Sequence, residues 1–154
     1  MTISEQNAAH QGKPEPVLGE TFQVRLVSDL KASLAYYRDA LGCIVDDWGH
    51  ATRDGMRVLL QQAKSRDDVK PNAASINRND YPTEWDGPDY GWDSFVHISW
   101  EDFEIYVEEV RSKGGNIAIE PFLFAAHGRW EVKNAYLQDL DGYTIVLGTM
   151  RVLK

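Results

Sequence analysis

One succession of signals occurs twice along this chain, and the duplication restricts the folds open to it more than any other feature. The first copy opens with FQVRLVS (Phe22–Ser28), rich in β-formers and read as a strand. Asp29 stands where an N-cap belongs, placed to accept backbone N–H bonds at the head of LKASLAYYRDALG. Leu30, Leu34, Tyr37 and Leu41 recur at three- and four-residue spacing, which gives one apolar helical face. Gly42 supplies a left-handed stop. CIVDDWG is a second strand, Arg53-Asp54-Gly55 a turn, and MRVLLQQ (Met56–Gln62) the closing strand.

The second copy repeats the order. SFVHISW (Ser94–Trp100) reads as a strand and Asp102 as the cap of FEIYVEEVRSKGG, whose Phe103, Tyr106, Val107 and Val110 share a face. Strands follow at NIAIEPFLF, WEVKNAYLQD and YTIVLGT, with a loop around Ala125–Gly128 and a turn at Leu140-Asp141-Gly142. Cap to glycine stop is 13 residues in both copies, Asp29 to Gly42 and Asp102 to Gly115. The expectation is an α+β fold of two βαβββ modules. Each alone would expose one face of a small curved sheet, and pairing the modules buries it around a cavity.

Residues 1–19 read as a flexible polar leader and 20–154 as a single domain, with modules at about 20–62 and 92–150. The linker, 63–91, is polar and carries Pro71, Pro82 and Pro88. It also carries Tyr81, Trp85 and Tyr90, so part of it is expected to pack over something. Net charge is −8, from 24 acidic against 16 basic residues. That excess argues against nucleic acid as a partner. It serves either solubility or the attraction of cationic ligands. No apolar run approaches the ~20 residues that span a bilayer, so no membrane partner is expected. The N-terminus lacks signal-peptide architecture, and the single Cys43 excludes an internal disulfide; cytoplasmic residence follows as the expectation.

Two strings carry a family resemblance. VSDLKASLAYYRDALG resembles the opening signature of the vicinal oxygen chelate superfamily, which includes glyoxalase I, extradiol dioxygenases and bleomycin-resistance proteins. QDLDGYTIVLG is similar to that superfamily's Asp-Pro-Asp-Gly-aromatic ending, with Leu140 in place of Pro. The resemblance spans roughly Phe22 to Thr149. It implies paired βαβββ modules, a homodimer, and a ligand or metal held in the sheet concavity. Metal-using members place His, Gln or Glu at four positions, two opening the first strands and two in the closing strands. Counted from the caps and turn glycines, those positions here are Phe22, Phe95, Leu59 and Val146. None can donate an electron pair to a divalent metal, and a one-residue slip brings forward only Gln23. No metal and no cofactor is therefore expected.

The remaining candidates follow from strand alternation. If Phe95 faces the cavity, so do His97 and Ser99; His97 is then a candidate base or ligand contact, with a structural histidine as the plainer reading. Val24 and Gln61 accompany Phe22 and Leu59. Trp130, Val132, Asn134 and Tyr136 share one face of their strand, with Ala135 and Leu137 opposite, suited to packing under a helix. The expected ligand contacts are Phe22, Val24, Leu59, Gln61, Phe95, His97, Ser99, Trp130, Tyr136 and Val146. A metal site from His97, His127 and Glu131 has suitable side chains but a spacing that matches no ligand motif. Cys43 follows a helix C-terminus, where the dipole disfavours a thiolate. The function expected is metal-independent binding of a small aromatic or cationic molecule, nearest in character to the bleomycin-resistance branch. The alternative is a lyase or isomerase with His97 as base.

Overall fold

The computed structural model describes residues 15–72 and 92–154. The first module runs β1 (Gln23–Val27), α1 (Leu30–Asp39), β2 (Ile44–Val45), β3 (His50–Arg53) and β4 (Met56–Gln62). A short 3-10 turn at Arg66–Asp68 follows. The second module runs β5 (Ser94–His97), α2 (Trp100–Ser112), β6 (Asn116–Ala126), β7 (Trp130–Gln138) and β8 (Thr144–Val152). Each module closes its own four-stranded sheet, ordered β1-β4-β3-β2 and β5-β8-β7-β6. In both, the first strand is parallel to the last, and the other neighbours are antiparallel. This is the duplicated α+β architecture that the repeat predicts. Tyr81, Trp85 and Tyr90, and the leader up to residue 14, lie outside the described residues.

The first helix forms as expected. The Asp29 carboxylate accepts from the Ala32 N–H at 3.0 Å, and Gly42 takes φ 76° just past the end. The second helix corrects the sequence reading. Its cap is Ser99, whose hydroxyl accepts from the Asp102 N–H at 3.1 Å, and the helix begins at Trp100. Asp102 is the third helical residue, where a carboxylate favours the positive end of the dipole. The strand accordingly stops at His97, and Ile98 and Ser99 belong to the helix entry.

Alternation gives each sheet a row of buried side chains facing its helix: Val27, Val58 and Leu60 in one, Ala135, Leu137, Ile145 and Leu147 in the other. The two helix sides then face each other. One continuous core joins Tyr37, Leu41 and Leu60 of the first module to Phe103, Val107 and Leu147 of the second. Hydrogen bonds cross the same seam. The Tyr36 hydroxyl donates to the Gln138 carbonyl at 2.7 Å and accepts from the Asn116 N–H at 2.9 Å. Tyr143 donates to the Leu26 carbonyl at 2.6 Å, and Ser28 to the Asp141 carboxylate at 2.6 Å. With the helix sides in the middle, the opposite face of each sheet points away from the core. Val24, Ile44 and Trp48 of the first module are 64%, 78% and 80% exposed. No helix among the described residues is long and apolar enough to cross a membrane.

Candidate ligand-binding site

Both β1 and β5 are edge strands, and they meet at the module seam through side chains rather than backbone pairing. The buried Arg25 guanidinium donates to the Tyr37 hydroxyl at 2.6 Å and to the Ser94 hydroxyl, and Ser94 also bonds Gln23. Tyr37 in turn donates to Asp139 at 2.8 Å. A buried cation and a buried carboxylate are thus joined through one phenol, which satisfies both at a depth where neither could stand alone. Burial nevertheless keeps the Asp139 carboxyl above its usual range.

Next to this latch lies a cavity of about 740 Å³, lined by the start of β1, the β3–β4 turn, β5 and α2. That volume suits a drug-sized molecule. Its floor is made of helix-facing apolar side chains, including Met56, Leu137, Ile145 and Leu147, and Tyr106 contributes aromatic wall. Charged groups at the cavity carry both signs, two arginines against three carboxylates. Arg53 bonds Glu109 and the Leu41 carbonyl, and it holds the Glu109 carboxyl below its usual value. Arg57 donates to the Thr21 carbonyl at 3.2 Å, and Asp54 and Asp102 complete the set. Burial raises the Tyr106 phenol while its hydroxyl donates to the Leu41 carbonyl at 2.9 Å.

The expected contacts divide between this cavity and other surfaces. Phe95 and His97 line it. Ser99 is not among the lining residues, and its hydroxyl accepts the Asp102 N–H at the helix cap. Val24, Leu59 and Gln61 are on the outer face of the first sheet, as is Phe22, whose ring packs on His50 with centroids 4.9 Å apart. Val146 and Tyr136, paired across β8 and β7, lie fully buried on the corresponding face of the second sheet. Trp130 shares that face but stands six residues from Tyr136, about 20 Å along the strand. It packs under Arg129, away from the others. Sequence reasoning missed Arg53, Arg57, Tyr106 and Glu109, because only the tertiary seam brings the β3–β4 turn beside α2.

Strand register adds a further residue to the set of family metal positions. Leu59 pairs with Val24, as Val146 pairs with Phe95, so Val24 is the ladder counterpart of Phe95 in the first module. Valine is no better a ligand than phenylalanine, and the donor set Val24, Leu59, Phe95 and Val146 does not fit a divalent metal. Glu131 is bonded to Arg151, His127 sits in the β6–β7 turn at φ 54°, and His97 is on the distant edge strand. Among the described residues, no three His, Cys, Asp or Glu side chains are grouped to hold a metal ion. Cys43 is buried, and desolvation pushes its thiol up to about 11, which makes it an inert core residue.

A family model for the Glyoxalase/Bleomycin resistance protein/Dioxygenase superfamily matches residues 21–147. No curated protein matches the chain. Among solved structures it is similar to a glyoxalase/bleomycin resistance protein/dioxygenase from Alicyclobacillus acidocaldarius, at 12% identity and TM-score 0.58, covering 84% of this chain and 89% of that one. A genomically encoded fosfomycin resistance protein from Listeria monocytogenes matches at 13% identity and TM-score 0.56, over 87% and 94%. An integron cassette protein of Vibrio cholerae matches at 14% identity and TM-score 0.53, over 88% and 97%.

Proposed function

Because the chain belongs to the Glyoxalase/Bleomycin resistance protein/Dioxygenase superfamily, and that fold hosts several chemistries, we propose a function from the site itself: metal-independent binding of a small aromatic molecule. The observation that carries this reading is the 740 Å³ cavity at the module seam, with its apolar floor, aromatic wall and few polar groups. The four apolar residues at the family's metal positions support it. Glu109 at the cavity is already engaged by Arg53, which favours an aromatic guest over a cationic one.

The test is a titration of chelator-treated protein with a varied aromatic panel, following tryptophan fluorescence. Trp92 reports on the site because its ring lies 5.5 Å from that of Phe95. Saturable quenching is expected, unchanged by added metal and weakened roughly tenfold or more by Ile105→Trp, which fills the cavity from an exposed helix position. A flat response across the panel sinks the reading.

A lyase or isomerase with His97 as base is the second reading, and its support is that His97 lines the cavity. A catalytic imidazole is normally oriented by a hydrogen bond to its other nitrogen, and no described residue supplies one to His97. Stoichiometric metal in the purified protein, lost in His97→Ala, would reverse the order of the two readings. We also propose that the protein is a homodimer. A second copy would cover Val24, Leu26, Ile44 and Trp48, which sedimentation analysis would register as a doubled mass.

A further inference from the structure

The outer face of the second sheet holds a polar group that its surroundings leave unanswered. Asn134 is 5% exposed, and its Oδ1 is buried without a hydrogen-bond partner. Buried amide oxygens are costly in that state and are seldom left so. Directly across the ladder from Asn134 is Gly148. A Cβ on Gly148 would lie 2.2 Å from Phe95 Cζ and 3.0 Å from Asn134 Oδ1. The missing side chain therefore makes a notch with the amide on one side and the Phe95 ring lying in it. Phe95 is itself 40% exposed, so its ring is only partly held. The neighbouring rings form an aromatic surround: Trp92 lies 5.5 Å from Phe95 and edge-on to Tyr136 at 6.0 Å, and Phe122 is edge-on to Tyr136 at 6.0 Å.

We propose that Phe95 is a displaceable cover over Asn134, and that the ligand is a neutral planar aromatic carrying one N–H or O–H. Its ring replaces the Phe95 ring on Gly148, and its donor bonds Asn134 Oδ1. This rests on the binding function proposed above and names its ligand class. Phe95 is also among the residues at the 740 Å³ cavity, so notch and cavity share the β5 edge strand. Exchanging one ring for another conserves volume, and the guest inherits the edge contacts of the surrounding aromatics. The exchange also gives the buried acceptor its partner. The His97 ring is also edge-on to Phe95 at 5.0 Å, and the rings that surround the notch suit a neutral aromatic guest.

The experiment uses the full chain and three probes of one shape: indole, with an N–H donor, indene, with none, and benzofuran, with an acceptor. Dissociation constants come from titrations, and the Asn134 side-chain amide is followed in ¹H–¹⁵N spectra. The wild type should bind indole roughly tenfold more tightly than indene, with the amide resonance shifting. Asn134→Leu should erase that preference while the melting temperature holds or rises, since an unsatisfied buried group is removed. Phe95→Ala should keep the preference and tighten indole binding. Equal affinity for indole and indene, a preference for benzofuran, a preference surviving Asn134→Leu, or no tightening in Phe95→Ala each overturns the proposal. Those outcomes leave general binding standing. Failure of every probe and of the aromatic panel sinks both.

Discussion

At the scale of single residues, Gly148 and Phe95 make the sharpest case. Glycine within a strand interior marks a close approach by another group, and here that group is an aromatic ring. Gly148→Ala should cost about 1–3 kcal/mol, because the new methyl and the ring cannot share the space. The cost should largely vanish in a Phe95→Ala background, so a double-mutant cycle by urea denaturation measures the contact directly. Additive effects would show that the ring does not occupy the notch. Alternation placed Asn134 on the same face as Tyr136 from the sequence alone. Its lack of a partner was not legible there, because that depends on every group that could have reached it. The misread cap is instructive in another way. Ser99 and Asp102 are both good cap residues three positions apart, and helix periodicity continues through either choice.

At the scale of elements, α1 shares the apolar core with both modules and is also tied to the second by hydrogen bonds. Tyr36 links it to both β6 and β7 with one hydroxyl. Tyr36→Phe should lose about 1–2 kcal/mol, more than one neutral hydrogen bond, since two backbone groups lose a partner together. Amide exchange at Asn116 should accelerate in the variant; unchanged exchange there would mean that water replaces the hydroxyl without loss. The helix faces themselves were legible as repeats of Leu, Tyr, Phe and Val, and they are buried as that spacing requires. Spacing could not show that the rim of α1 carries a tyrosine aimed at a strand 102 residues later.

At the scale of the whole molecule, the Arg25–Tyr37–Asp139 latch couples the two modules and sets a pH dependence. The Asp139 carboxyl is held above its ordinary value of 3.8, chiefly by burial. The folded state therefore holds this proton more tightly than the unfolded state does. Stability from this group is complete below 3.8 and is lost as pH rises through the raised value. Glu109, held low by Arg53, acts in the opposite sense, so the comparison must be with Asp139→Asn. The wild type minus Asp139→Asn difference should fall as pH rises above 3.8, in denaturation curves taken across that window. A flat difference would show that Asp139 titrates as an ordinary exposed carboxylate.

The linear order of residues determined the two modules, their helices, the turns that launch each closing strand, and the apolar side chains at the positions where relatives bind metal. All of these are local: they depend on spacing, capping and side-chain type within one element or one turn. Periodicity says which face of an element must be buried, but not what buries it. Only the tertiary structure decided that the helix sides of the modules meet and share one core. That packing brings the edges of β1 and β5 together beside the cavity and leaves Asn134 buried close to Phe95. These outcomes join residues far apart in the chain, and they follow from which buried faces fit together rather than from any one of them.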